Sequence, residues 1–186
     1  GGAVAVYHST GLVIQACSFI NNRARGTKAL GGALFVEQSM FGLASSFFTA
    51  NAADRGGDGL FALHSTAHVE RITMSFQPEG LAAEESWVEI ANAILWSNGV
   101  PMSKGGALFC RDSLSDVALP GPGNMQGNPR LIRGSCRVTS DSPAINAGAG
   151  SNRVKDIDGE IPEDRIDIGC DEFVDRDGDD LPDSWE

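Results

Sequence analysis

The chain has 186 residues, 41% of them apolar, and a formal net charge of −11. This length and composition suffice for one domain with a hydrophobic core, and a balance of 14 basic against 25 acidic side chains argues against a nucleic-acid-binding surface. Fourteen of the acidic residues lie between Asp156 and Glu186, where only two arginines oppose them. Such an asymmetry indicates either an acidic solvated tail or a cation site.

Glycine pairs recur along the first two thirds of the chain. They begin at Gly1, Gly31, Gly56 and Gly105, at intervals of 30, 25 and 49 residues. A second phrase starts with Phe or Leu and carries Asn at its fourth position. It spans 19–22, 48–51 and 95–98, and a weaker version starts at Phe76 with Glu79 in place of the Asn.

Repeats of about 25 residues, with short apolar runs and no helical periodicity, predict a solenoid. In this arrangement strands pair in parallel between successive turns of the chain, and Asn side chains form hydrogen-bonded ladders. Gly-Gly suits bends that need a positive φ. The alternative is a β-sandwich, whose strands also recur at regular spacing, although it would not need the same residue class at the same place in each repeat.

Alignment of the repeats predicts which side chains stack in the interior. One row contains Phe19, Phe48, Phe76 and Leu95, and a second contains Cys17, Ser46, Met74 and Ala93. Two further rows contain Ile14, Leu43 and Ile90, and Ala24, Ala53 and Val100. Asn22, Asn51 and Asn98 are expected near bends.

The Gly-Gly-Ala and Phe-x-x-Asn phrases resemble those of bacterial right-handed parallel β-helix repeat proteins, including polymorphic outer-membrane autotransporter adhesins. The resemblance implies that residues 1–135 form an all-β, right-handed, single-stranded parallel β-helix of four to five coils. It also implies an extracellular or bacterial cell-surface location. The chain begins at Gly1 without a signal peptide, so we expect a piece of a longer protein. We expect a monomer that binds no nucleic acid and does not insert into a membrane.

Residues 124–173 resemble the closing segment of secreted bacterial β-helix proteins, which precedes varied C-terminal anchors. The matching phrases are Gly127-Asn128, Ser142-Pro143-Ala144-Ile145, Asp156-Ile157-Asp158-Gly159, Asp167-Ile168-Gly169 and Glu172-Phe173. The resemblance implies a closing or capping segment over residues 136–173. Asp156 and Asp158 either form an Asx-turn closed by Gly159 or contact an ion. An oxidising compartment would allow a disulfide between Cys136 and Cys170.

Residues 174–186 contain a pattern typical of calcium loops. Carboxylates occupy positions 1, 3, 5, 9 and 12 of a twelve-residue stretch, with a carbonyl at position 7; the predicted ligands are Asp175, Asp177, Asp179, Asp183, Glu186 and the Leu181 carbonyl. The stretch resembles the thrombospondin type-3-like calcium repeats of secreted bacterial proteins, with Asp180 at a position expected to be Gly. We expect calcium binding that orders the tail and docks Trp185. The alternative is a disordered acidic linker.

The sequence shows no cluster suited to acid–base catalysis. Glu84, Glu85, Asp112 and Asp116 are expected at solvated bends, and His8, His64 and His68 in non-catalytic positions. Two function classes remain. The first is a non-enzymatic, adhesin-like or structural surface protein that contacts carbohydrate or another surface protein. The second is part of a polysaccharide lyase or glycoside hydrolase whose active coils lie outside these residues.

Overall fold

The structure is a computed structural model that describes residues 1–151, 154–162, 164–179 and 181–183. Strands β1 to β8 are Val4–Tyr7, Thr10–Gln15, Ser18–Ile20, Arg23–Ala24, Leu34–Glu37, Met40–Thr49, Ala52–Ala53 and Leu60–Leu63. Strands β9 to β16 are Thr66–Ser75, Leu81–Glu84, Trp87–Ala91, Ile94–Trp96, Met102–Lys104, Ala107–Arg111, Leu114–Ser115 and Met125–Gln126. Within these described ranges, no helix has the length and apolar character needed to cross a membrane.

Parallel pairing between successive repeats joins these strands into sheets. The first sheet has the order β1-β5-β8-β10-β13; the second contains β2, β3, β6, β9, β11, β12 and β14 to β16; and β4 pairs with β7. In the first sheet, Val4 pairs with Leu34, and Leu34 with Leu60. Each residue therefore lies beside its equivalent in the next repeat. The predicted all-β fold with parallel sheets is confirmed.

The interior consists of like side chains stacked from repeat to repeat. Ile14 pairs with Leu43, Leu43 with Val69 and Val69 with Ile90, which confirms the row predicted for these positions. The Phe19 and Phe48 rings stack with centroids 4.6 Å apart. Such stacking removes apolar surface from water in every repeat, which is the main stabilising contribution to the fold.

Two predicted rows are wrong in the third repeat. Phe48 pairs with Met74 and Ser46 with Ile72. In each row, the member from the third repeat therefore lies two residues before the residue that the alignment assigned. Phe76 stands outside the interior, 51% exposed, with a φ of 55°. Because side chains alternate across a strand, a shift of two residues keeps the same face inward, and the apolar pattern alone could not reveal it.

The fourth predicted row is confirmed only in part. Ala24 pairs with Ala53 between β4 and β7, but Val100 lies in none of the described strands and is 53% exposed. Val100 follows Gly99, whose φ of 66° turns the chain away from the path of the earlier repeats.

An amide ladder follows one bend of the repeat, as predicted. Asn22 Nδ2 donates to Asn51 Oδ1 at 2.9 Å, and Asn51 Nδ2 donates to Gln77 Oε1 at 2.8 Å. The backbone N–H of Gln77 then donates to Asn98 Oδ1 at 3.2 Å. Gln77, not Glu79, takes the Asn position of the third repeat, in agreement with the two-residue shift of the interior rows.

The bends are marked by three rows of residues with positive φ, one residue per repeat. The first row is His8, Gln38, His64 and Glu85; the second is Ala16, Ser45, Arg71 and Asn92; the third is Asn21, Ala50, Phe76 and Ser97. Glycine is needed where backbones approach closely, since a Cβ on Gly32 would lie 2.1 Å from the Asp58 carbonyl oxygen.

The closing segment packs along the second row of bends. Arg71 Nη1 donates to the Val154 carbonyl at 2.9 Å, and Ser45 Oγ donates to the Lys155 carbonyl at 3.1 Å. Asn92 exchanges two hydrogen bonds with the backbone of Ala149, at 2.8 and 2.9 Å. These contacts run along the side of the strand stack, and the segment also contains the antiparallel bridge between Leu131 and Val138.

Two local predictions in the closing segment have clear outcomes. Asp156 Oδ1 accepts the backbone N–H groups of Asp158 at 2.9 Å and Glu160 at 2.7 Å, so the predicted Asx-turn is confirmed. Cys136 and Cys170 are free thiols whose side chains hydrogen-bond to each other. The structure therefore has no disulfide there, although the two sulfur atoms are neighbours.

Candidate functional site

The acidic tail folds into a tight loop around the first predicted calcium ligand. Asp175 Oδ1 accepts the backbone N–H groups of Gly178 at 2.8 Å and Asp179 at 3.3 Å. The carboxylates of Asp175, Asp177 and Asp179 each have an oxygen within 4.8 Å of the others. The alternating spacing that suggested a calcium loop thus brings three of the predicted ligands together.

The remaining predicted ligands are placed differently. The Asp183 carboxylate accepts hydrogen bonds from the backbone N–H and Nη1 of Arg176, at 2.9 and 2.6 Å, so it faces a guanidinium. Leu181 is exposed, and its N–H donates to Asp179 Oδ1 at 2.8 Å. Glu186 and Trp185, as well as Asp180, lie outside the described residues.

The donor set of the tail fits calcium. Three carboxylates provide hard oxygen ligands on a flexible loop, the combination that calcium accepts and zinc does not favour. The exposure of Asp177 and Asp179 leaves room for water molecules in the remaining coordination positions. Asp183 could join them only if its pairing with Arg176 were released.

An aromatic shelf forms a second candidate site, on the outer face of β9, β11 and β14. We define the shelf as His68, Trp87, Glu89, Phe109 and Arg111. The ring centroids of Trp87 and Phe109 lie 5.8 Å apart, and those of His68 and Trp87 lie 5.4 Å apart. Trp87 is 39% and Phe109 54% exposed, so the adjacent rings form a continuous aromatic surface open to solvent.

Strand register builds this shelf from three repeats. His68 pairs with Glu89 and Glu89 with Phe109, so these three side chains form one outward row. Trp87 lies two residues before Glu89 and therefore points to the same face. Parallel ladders therefore fix the backbone positions from which the shelf side chains project.

Charged groups line the edge of the shelf. The Glu89 carboxylate lies 3.4 Å from His68 Nδ1 and 3.3 Å from Arg111 Nε. Arg111 Nη1 donates to Asp112 Oδ2 at 3.0 Å, and this hydrogen bond raises the pKa of the guanidinium above its ordinary value. Trp87, Phe109, Glu89 and Arg111 also line an open cleft of about 470 Å³, together with Pro120 and Pro122.

The arrangement suits binding more than acid–base chemistry. The aromatic faces offer apolar contact, while the Glu89–Arg111 pair offers a hydrogen-bond acceptor and several donors in fixed positions. Asp112, predicted to be a solvated bend residue, instead accepts a hydrogen bond from Arg111. The adjacent Glu84 and Glu85 separate, since Glu84 pairs with Lys104 at 2.8 Å and Glu85 with His64 at 3.1 Å.

No family model, curated protein or solved structure matches the chain. The resemblance to bacterial β-helix repeat proteins therefore remains a prediction. The case for a function rests on the geometry of the shelf and of the acidic tail.

Sequence reasoning missed the shelf because its residues do not repeat. Interior positions return with the same residue class, whereas the outward row changes from Gly42 to His68, Glu89 and Phe109. A signal was nevertheless present. Correct alignment of the repeats would have placed Trp87, two residues before Glu89, beside Phe109 of the following repeat.

Proposed function

We propose that the chain is a section of an extracellular, non-enzymatic right-handed parallel β-helix whose aromatic shelf binds carbohydrate and whose acidic tail binds calcium. The observation that carries the proposal is the exposed Trp87–Phe109 pair on a sheet face, with a charged pair at its edge. A second part of the proposal is a surface-associated role, as an adhesin-like protein or structural stalk.

Parallel pairing supports the β-helix. Each strand pairs with its equivalent in the next repeat, and three rows of positive-φ residues divide every repeat into segments of different direction. A chain that turns at such bends and pairs again with the same sheet forms successive coils of one handedness. Right-handed crossovers between parallel strands are strongly favoured because strands have a right-handed twist.

Carbohydrate is the ligand whose chemistry fits the shelf. A pyranose ring has an apolar face of C–H groups that packs on an aromatic ring, and a rim of hydroxyl groups that exchange hydrogen bonds with carboxylate and guanidinium. Glu89 would accept from hydroxyl groups, and Arg111 would donate to them. A shallow, solvent-open site of this kind gives affinities of roughly millimolar per sugar unit.

The shelf lacks the arrangement expected of a glycosidase. Hydrolysis of a glycosidic bond commonly uses two carboxyl groups, one of them free to donate a proton. Glu89 lies between His68 and Arg111, and Asp112 is bound to Arg111. Both carboxylates therefore contact Arg111 and do not form the pair that flanks the scissile bond in such enzymes.

Affinity electrophoresis through gels containing neutral β-glucan, xylan, mannan or pectin tests the proposal. We expect retardation by at least one polysaccharide, and a loss of about tenfold or more in affinity for Trp87→Ala and Phe109→Ala. Phe76→Ala is the matched control, because Phe76 is an exposed aromatic residue at a bend and does not belong to the shelf. Absence of retardation in all gels, or equal weakening by Phe76→Ala, would refute carbohydrate binding at the shelf. Release of reducing or unsaturated ends would refute the non-enzymatic assignment.

A further inference from the structure

A second group of carboxylates lies inside the closing segment, away from the acidic tail. Asp156, Glu160 and Asp171 each have an oxygen within 4.8 Å of the others. Asp156 is 2% exposed and Asp171 9% exposed. They belong to two chain segments that are tied together by a hydrogen bond from the Ile157 N–H to the Cys170 carbonyl at 2.9 Å.

Backbone N–H groups hold the Asp156 carboxylate in place. Oδ1 accepts from Asp158 and Glu160, and Oδ2 accepts the N–H of Glu172 at 3.0 Å. These three donors fix the orientation of the carboxylate, and Oδ2, which accepts only one of them, can still bind a further partner.

The other two carboxylates each have an oxygen without a partner. Asp171 Oδ1 and Glu160 Oε2 are buried and accept no hydrogen bond. A buried polar atom that has left water without a replacement partner costs free energy, and a charged one costs more. These two atoms point to a ligand that the protein chain itself does not supply.

Arg137 is a cation beside this group of carboxylates. Its Nη2 pairs with Asp158, and its Nε forms a longer ion pair of 3.9 Å with Asp171 Oδ1. This ion pair leaves Asp171 Oδ1 and Glu160 Oε2 without a hydrogen bond.

We infer that Asp156, Glu160 and Asp171 form a calcium-binding site, distinct from the acidic tail, that fastens two segments of the closing region to each other. Oxygen-only donors held on irregular backbone suit calcium, with water in the remaining positions. Structural zinc sites are mostly built from His nitrogen and Cys thiolate ligands, whereas the three side chains here are carboxylates, and magnesium demands a stricter octahedron.

An ion bound here would also strengthen the contact between the closing segment and the strand stack. Glu172, which follows Asp171, pairs with Arg71 of β9 at 3.1 Å. The N–H of Cys170, which precedes Asp171, donates to Thr73 Oγ1 at 3.2 Å. An ion at Asp171 would therefore hold a segment that also contacts the strand stack, and calcium should raise the melting temperature.

Isothermal titration and thermal unfolding of the full chain test the inference. We expect two calcium ions bound by the unaltered protein and one by Asp171→Asn or Glu160→Gln. The matched control carries Asp175→Asn and Asp177→Asn, and it should retain the closing-segment ion. At free calcium tenfold above Kd, the melting temperature should rise by about 3–5 °C in the control and not in Asp171→Asn.

Two results would overturn the inference. One is an unchanged calcium stoichiometry and thermal shift in both Asp171→Asn and Glu160→Gln, which would make Asp171 only a neighbour of Arg137. The other is loss of all calcium binding in the tail variant. Glu160→Gln protects the test against misfolding, because Glu160 is only half-buried, and near-ultraviolet circular dichroism would confirm its native packing.

Discussion

The strand stack of residues 4–126 and the closing segment that follows it as far as residue 173 are stabilised in different ways. In the stack, polar groups pair with the equivalent position of the next repeat: the N–H groups of Ser9, Ser39 and Ser65 donate to the hydroxyls of Ser39, Ser65 and Ser86 at 3.0, 3.1 and 2.9 Å. In the closing segment, the partners are single side chains and buried charges, such as the pair formed by Arg71 and Glu172.

This difference predicts different responses to perturbation. The stack repeats one kind of contact many times. A substitution there lowers the free energy of unfolding through lost packing, and this loss depends little on pH. The closing segment depends on a few ionisable groups in a dry environment, where removing one partner leaves another uncompensated. Stability of the segment should therefore respond to charge substitutions, pH and cations.

The largest expected effect comes from breaking the buried ion pair. Arg71 is 1% exposed and Glu172 3% exposed, and their side chains are 3.1 Å apart. Arg71→Ala should lower the free energy of unfolding by about 3–5 kcal/mol, because Glu172 loses its cation. Lys104→Ala, which breaks an ion pair with an 83% exposed lysine, should cost far less, because water and salt screen exposed charges. Urea unfolding of both variants measures the difference, and equal costs would contradict the proposed role of the pair.

The next effect tests the register of the stack. Met74 is fully buried between Phe48 and Leu95, so Met74→Ala should cost about 2–4 kcal/mol. Phe76→Ala removes more atoms but from an exposed position, and should cost less than about 0.5 kcal/mol. The reverse order in denaturant unfolding would favour the alignment with Phe76 in the interior.

A pH effect is expected in the closing segment. Burial raises the pKa of Asp167 to about 6 from an ordinary 3.8, so the folded protein holds this proton more tightly than the unfolded chain. The resulting stabilisation is complete below about pH 4 and is lost as the pH rises through 6, a change of up to about 3 kcal/mol. Burial also raises the pKa of Glu172 to about 7, which adds a slope of the same sign, so unfolding in calcium-free buffer should show the combined slope and Asp167→Asn should make it shallower. An unchanged slope in the variant would assign it to other groups.

The smallest effect on stability is expected in the acidic tail. Asp175→Ala with Asp177→Ala should remove weak calcium binding, with a Kd of roughly 10⁻⁴–10⁻³ M, and change the free energy of unfolding by less than about 0.5 kcal/mol. Its carboxylates are largely exposed, so little of the fold depends on them. Calcium titration of both proteins, followed by Trp fluorescence, measures this. Identical curves would make the tail an acidic linker.

Prediction from sequence succeeded where a pattern repeats. Asn22 and Asn51 were placed on one ladder because the phrase around them recurs, and Asp175, Asp177 and Asp179 were grouped by their alternation. It failed at Met74, because Phe76, two residues later, matches the first residue of the repeat phrase better than Met74 does. Side chains alternate across a strand, so a shift of two residues leaves the apolar pattern unchanged.

Other features depend on contacts that no spacing encodes. The pairing of Asp183 with Arg176 depends on how the tail loop closes, and ligand spacing does not specify it. The docking of Glu172 on Arg71 joins residues 101 positions apart. The shelf depends on the register of three strands, so Trp87 and Phe109 become neighbours only when the repeats are correctly aligned.

Saturation-transfer NMR with an oligosaccharide of the polysaccharide retained in the gels tests carbohydrate binding at the shelf most directly. We predict that saturation reaches mainly the C–H protons of one pyranose face, because that face packs on Trp87 and Phe109. Transfer should disappear with Trp87→Ala and persist with Phe76→Ala. Transfer that is absent from the unaltered protein, or that survives Trp87→Ala unchanged, would contradict the proposal.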